Sequence, residues 1–153
     1  MGSQRLLEAL SPEQPRAANA RTGSHIMTAP IPTRVHYHKK DRELELTYEG
    51  GESHRLSVEY LRVFSPSAEV RGHGGDTATL QVGKKHVGLK NITQAGRYAL
   101  KLHFDDGHDS GLYSWDYLHA LIRDREANWT DYLRRLEEAG ASREPLGIEI
   151  KQL

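Results

Sequence analysis

The chain has 153 residues, with 21 Lys plus Arg against 21 Asp plus Glu, nine His and no Cys. Balanced charge argues against a nucleic-acid binder held by bulk phosphate attraction, and the missing thiols exclude a disulfide scaffold, a thiolate nucleophile and any cysteine-ligated metal. No apolar run approaches a membrane span, no signal-peptide core is visible, and two Phe with two Trp make no stacking platform for single strands, so a cytoplasmic protein binding neither nucleic acid nor membrane is expected.

The first 26 residues show little periodicity. Gly23, Ser24 and His25 shortly before Met27 read as an expression leader, and Pro12 and Pro15 cut short the one apolar turn that Leu6, Leu7 and Leu10 could form. Residues 27–140 are expected to make one domain with one hydrophobic core, followed by a tail over 141–153. Three of the basic and two of the acidic residues precede Met27, which leaves a formal charge of −1 on the rest.

Arg34 to His38 reads as a short strand and 39–42 as a polar turn. Glu43 to Tyr48 alternates strictly, placing Leu44, Leu46 and Tyr48 on one face and charge on the other. Glu49-Gly50-Gly51-Glu52 signals a tight turn into a returning strand carrying His54, Leu56 and Val58. Ser57 is placed to cap a short helix through Glu59, Tyr60, Leu61 and Arg62, which Pro66 should end by Phe64. Thr77 to Val82 and Lys85 to Ile92 predict two strands around a charged hairpin turn at Gly83-Lys84. Tyr98, Leu100, Leu102 and Phe104 then share a strand face opposite Arg97, Lys101 and His103. The Asp105–His108 turn breaks that strand, and Gly111 to Tyr113 returns from it.

Ser114 predicts a helix N-cap with Asp116 in the first turn. Leu118, Leu121, Ile122, Trp129, Tyr132, Leu133 and Leu136 recur at helical spacing, with a break expected near 128–130 and a stop at Gly140. The fold class is α+β: a small, mostly antiparallel sheet covered by a C-terminal helix.

The polar loops can be tested against specific chemistries. His103 and Asp105 share a strand face, but a non-haem iron triad would need His108 or His119 as a third ligand, so a polar strand edge is the simpler reading. His73 and His108 could bind zinc or iron if their loops meet, with Asp105, Asp106, Asp109 or Glu69 as oxygen donors, although no ligand spacing supports this. Ser65 or Ser67 with a histidine base lacks a Gly-x-Ser-x-Gly elbow, and Ser65-Pro66-Ser67 reads as a helix-ending turn. Gly72-His73-Gly74-Gly75 beside Arg71 lacks the lysine of a phosphate-binding loop.

Glu59-Tyr60-Leu61-Arg62, Ser65-Pro66-Ser67-Ala68-Glu69-Val70 with Gly72-His73, and Phe104-Asp105-Asp106-Gly107-His108 with Trp115-Asp116-Tyr117-Leu118 together resemble the bacterial DUF971 family. This domain is also called gamma-butyrobetaine hydroxylase-like N-terminal, and the resemblance runs roughly from Ile31 to Ile122. It implies an association with oxygenases, because related domains precede the catalytic barrel of gamma-butyrobetaine and trimethyllysine hydroxylases. It also implies one with iron–sulfur carriers, where a similar domain follows the P-loop domain. The eukaryotic relatives imply a zinc module of three cysteines and one histidine, and the matching positions here are Ser65, Ser67, Val70 and His108. Serine hydroxyls are poor zinc ligands and valine is none, so this chain resembles a metal-less version. The oxygen chemistry of those relatives belongs to a 2-oxoglutarate barrel outside the resemblance.

The resulting expectation is a non-catalytic accessory domain that contacts another protein, an oxygenase or an iron–sulfur carrier, with homodimerisation as a further expectation. Its interaction candidates are Arg62, Ser65, Ser67, Glu69, Arg71, His73, Asp106, His108 and Tyr113. No cofactor is expected. The alternatives are a zinc or iron module using His73, His108 and Asp106, and a small enzyme of unknown reaction.

Overall fold

Strict alternation over 43–47 decides the first layer of the fold. A computed structural model of the chain describes residues 29–67, 79–109 and 111–145. In it β1 (Arg34–His38), β2 (Glu43–Thr47) and β3 (Ser53–Ser57) pair antiparallel in that order. Val35 stands opposite Leu46 and Leu44 opposite Leu56. Leu44, Leu46 and Leu56 are fully buried, each contributing about 2 kcal/mol of apolar burial. The β2–β3 turn uses Gly50 and Gly51, both at φ +94°, a backbone conformation that glycine adopts without steric cost.

Ser57 closes β3 and caps α1 (Val58–Val63). Its backbone is extended and its hydroxyl accepts the Tyr60 N–H at 3.0 Å, which satisfies one of the free donors of the first turn. Val58 therefore opens the helix, where a strand residue was expected. Phe64 is the C-cap, as the restriction imposed by Pro66 requires.

The second sheet corrects two expectations. β4 (Leu89–Ala95), β5 (Ala99–Phe104) and β6 (Leu112–Ser114) form their own antiparallel sheet in that order, so the single sheet is two. One strand, at 89–95, replaces the pair expected at 77–82 and 85–92, of which 77 and 78 lie outside the described residues. Gly83-Lys84 is not a hairpin turn, because its backbone pairs elsewhere. The Gly83 N–H donates to the Ser142 carbonyl and the Lys85 N–H to the Arg143 carbonyl, each at 3.0 Å. Residues 141–145, read in the sequence as the start of a tail, thus lie along 83–85. Leu100, Leu102 and Phe104 fill the core, but Tyr98 falls before the strand begins and is 56% exposed.

α2 (Trp115–Arg123) starts at Ser114, whose hydroxyl accepts the Tyr117 N–H at 3.0 Å, with Asp116 in the first turn. α3 (Arg125–Glu138) follows directly. The break falls at Asp124, earlier than the expected 128–130. Asp124 leaves helical geometry at φ −102°, ψ 20°, and its carboxylate is held by the Arg123 guanidinium at 2.9 and 3.1 Å. Asn128 stays helical, its N–H donating to the Asp124 carbonyl and its side chain to Tyr60 Oη. The two sheets and α2 enclose one core, while Val63 packs with Tyr132 and Leu136 of α3 in a smaller cluster. Leu133, expected on the apolar stripe, is 40% exposed. Among the described residues no helix is long and apolar enough to cross a membrane, and both sheets are open, three-stranded and not closed into a barrel.

Candidate functional site

The last turn of α1 leaves carbonyls that the helix itself cannot satisfy. Two tyrosines supply the donors. Tyr113 of β6 donates to the Leu61 carbonyl at 2.6 Å, and Tyr117 of α2 donates to the Phe64 carbonyl at 2.5 Å. Burial pushes the Tyr113 hydroxyl well above the usual phenol range, so it remains a neutral donor. Beyond the helix, Ser65 and Ser67 reach His108 on the turn after β5. Ser65 Oγ lies 2.9 Å and Ser67 Oγ 3.3 Å from His108 Nε2. All three side chains are buried, Ser65 completely.

An ionic layer flanks this knot. Asp106 Oδ2 accepts from Arg62 Nε at 2.9 Å and Lys84 Nζ at 2.8 Å, while Oδ1 accepts the His108 N–H at 3.1 Å. Burial alone would raise the Asp106 carboxyl, but the Lys84 bond, the His108 amide and Arg62 together outweigh it and hold it at about 2. A depressed carboxyl contributes stability above its unfolded pKa and loses it as pH falls through the folded value. Wild-type protein is therefore expected to lose on the order of 1 kcal/mol between pH 4 and pH 2 through this group, because solvent screening on the exposed turn weakens the full effect. Urea unfolding across that range checks it; Asp106→Asn should lack the step, and an identical pH profile in the variant would refute the assignment.

A serine beside an imidazole is the minimal nucleophile–base pair. Ser65 has no exposed surface, so no substrate carbonyl reaches it, and both hydroxyls are spent on His108. The zinc or iron set of His73, His108 and Asp106 is not assembled from described residues either. His73 lies outside them, His108 Nε2 is shared with two serines, and both Asp106 oxygens are occupied. Among the described residues no group of three or more His, Cys, Asp or Glu side chains could hold a metal. His103, the start of the discarded iron triad, bonds Thr93 Oγ1 at 3.1 Å instead.

This arrangement joins the three sequence segments singled out above: Glu59–Arg62 on α1, Ser65–Ser67 after it, and the Phe104–His108 turn with the start of α2. Residues 35–119, more than half of the chain, match the family described as gamma-butyrobetaine hydroxylase-like, N-terminal. The chain belongs to that family. Within it this is a member without cysteine. Two proteins with solution NMR structures are similar to it, at 48% and 41% identity, covering 82% and 87% of this chain and 99% and 100% of theirs, each at TM-score 0.69. A crystal structure of a DUF971-family protein of unknown function from Acidithiobacillus ferrooxidans ATCC 23270 is 34% identical over 60% of this chain and 92% of that one, at TM-score 0.50. No curated protein matches the chain.

Of the interaction candidates in this gamma-butyrobetaine hydroxylase-like domain, Arg62, Ser65, Ser67, His108 and Tyr113 are brought together, but inside. None is more than 8% exposed, so their side chains hold the α1 end rather than line an open face. Asp106 sits on the exposed turn with its carboxylate turned to Arg62 and Lys84. Glu69, Arg71 and His73, like Val70, lie outside the described residues. Three further residues escaped the sequence reading. Tyr117 lay within the recognised Trp115–Leu118 segment, where its hydroxyl gave no sign of reaching back to α1. Lys84 was assigned to a hairpin turn. Gly111 stands so close to Ser65 that a Cβ there would lie 2.5 Å from Ser65 Oγ.

Proposed function

We propose that this domain is a non-catalytic accessory module that docks on another protein, with an oxygenase or an iron–sulfur carrier as the partner class. The observation that carries this reading is the burial of the Ser65–Ser67–His108 knot. Residues that identify the family are consumed by internal hydrogen bonds, which suits a scaffold presenting a surface better than a site attacking a substrate. The docking surface proposed is the outer face of the second sheet, where Leu112 is 52% exposed beside Lys101, its partner in register. Solvent-exposed leucine framed by polar residues fits a modest contact with a partner. The partner class rests on the family's association with those proteins.

Purified domain should bind a 2-oxoglutarate oxygenase or a P-loop iron–sulfur carrier from its own cell with a dissociation constant in the micromolar range, measured by titration calorimetry. Leu112→Asp is expected to weaken that binding at least tenfold while leaving the melting temperature within a few degrees, because the side chain is already exposed. Absence of binding to both partner classes would overturn the proposal, and so would unchanged binding by the variant.

A further inference from the structure

The turn joining β1 to β2 gathers positive charge that the fold leaves unneutralised, at the opposite edge of the second sheet from Leu112. Lys39, Lys40 and Arg42 lie on that turn, and Lys90 is the second residue of β4 beside it; all four are exposed. Gly88 brings the two segments together, because a Cβ there would lie 3.0 Å from Tyr37 Oη and 3.7 Å from Arg42 Cδ. The Leu89 N–H donates to Tyr37 Oη at 3.1 Å and fastens the contact. Among the described residues none of the four cations is ion-paired. Lys84 and Lys85 nearby differ, held by Asp106 and Glu144 at 2.8 Å each. The nearest carboxylates do not neutralise the corner. Asp41 and Glu43 are drawn to Arg55 at 3.9 and 3.3 Å, which leaves Asp105, on the other side of Gly88.

Arg42 is the decisive residue. Its φ is +54°, and the other described residues at positive φ are all glycines. A side chain makes that left-handed conformation costly, so stability alone would place glycine there. The Arg42 carbonyl accepts the Val58 N–H at 2.9 Å, which holds the turn in place against the start of α1. An arginine where the backbone favours glycine, its guanidinium free of ion pairs, marks a contact made outside the fold. A guanidinium matches a carboxylate through two parallel hydrogen bonds. Cations strung along one turn and the adjacent strand suit an extended segment better than a single ion. Tyr37 is partly buried with its hydroxyl occupied, so the corner offers no ring on which a base would stack. The balanced charge of the chain gives no long-range attraction for a phosphate backbone either. We propose that the corner formed by Lys39, Lys40, Arg42 and Lys90 docks an extended acidic segment of a partner protein, with Arg42 gripping one of its carboxylates.

The test titrates the full chain with N-acetyl-hexaglutamate amide at pH 7 and low ionic strength, following backbone amide signals by NMR. Saturable shifts centred on Lys39, Lys40, Arg42 and Lys90 are expected, weakening as salt is raised. Arg42→Gly should lose about fivefold or more in affinity. Its melting temperature should stay unchanged or rise, because the turn conformation suits glycine. Lys40→Glu should lose at least as much affinity. Arg97→Ala removes one positive charge from the β4–β5 turn, at the far end of the second sheet, and should bind as tightly as wild type. An oligothymidylate of similar length separates the partner classes. Weaker binding than hexaglutamate supports a protein segment, while equal or tighter binding overturns it in favour of nucleic acid. Shifts that never saturate, full affinity in Arg42→Gly, or an equal loss in Arg97→Ala each overturn the proposal. No readout involves Leu112, so this proposal and the docking reading above fail separately.

Discussion

Replacing Gly111 by alanine is expected to destabilise the domain by about 2 kcal/mol, the cost typical of an overpacked interior. The added Cβ would stand 2.5 Å from Ser65 Oγ, 3.3 Å from Tyr113 Cε1 and 3.4 Å from Pro66 Cδ. The first contact cannot persist. Ser65 is fully buried and 2.9 Å from His108, so rotating its hydroxyl away gives up that bond, and shifting the loop disturbs the Tyr113–Leu61 bond beside it. The prediction carries its own control. Ser65→Ala alone should be mildly destabilising, but in the Gly111→Ala background it removes the clashing oxygen and should recover about 1 kcal/mol or more. Denaturant unfolding of the four proteins checks it; strict additivity would show that the two positions do not collide.

Arg143→Ala should cost about 2–3 kcal/mol, or a fall in melting temperature of about 10 °C. Arg143 grips Glu59 with two bonds of 2.8 Å, and Glu59 on α1 is 5% exposed. Removing the guanidinium leaves a buried carboxylate without its partner, which costs far more than the pair contributes net. The discount from a fully buried pair reflects the Arg143 side chain, which is 35% exposed. The same bonds raise the Arg143 pKa, so its charge is not in question at any working pH. Arg143 also lies 5.2 Å from the Trp129 ring centre, a contact that the variant loses too. Replacing both partners together, Glu59→Met with Arg143→Met, should leave a protein more stable than Arg143→Ala alone, because no charge is stranded. A double variant less stable than the single one would contradict that account.

Arg143 lies beyond Gly140, where the periodicity of the last helix stops and the sequence shows only a polar tail. Its partner Glu59 reads in the sequence only as part of the short helix that Ser57 caps. Eighty-four positions separate them, and neither residue announces the other. Gly111 is similar: a lone glycine before a short strand carries no sign that a serine hydroxyl from another segment will press against it. Contacts of this kind depend on how elements meet, and local sequence does not encode the meeting.

Other features were local and therefore legible. Ser57 and Ser114 each place a hydroxyl three residues before an N–H that needs it, and both cap as expected. Pro66 ends α1, and the alternation over 43–47 puts its leucines inside. The failures have the same origin as the successes. Val58 continued an alternating pattern, but the cap at Ser57 had already claimed it for the helix. Residues 83–85 had the composition of a hairpin turn, yet their N–H groups found the carbonyls of 142 and 143 instead of a facing strand.

By itself the sequence determined the α+β class, the helix caps, the absence of thiol chemistry and, through three short segments, the family. Those properties follow from residue type and near-neighbour spacing. Only the tertiary structure decided that Ser65, Ser67 and His108 share one buried site, that Asp106 is held between Arg62 and Lys84, and that the Tyr48 hydroxyl is buried without a partner. Burial and hydrogen-bond satisfaction arise where distant segments pack, so they are settled by the assembled core.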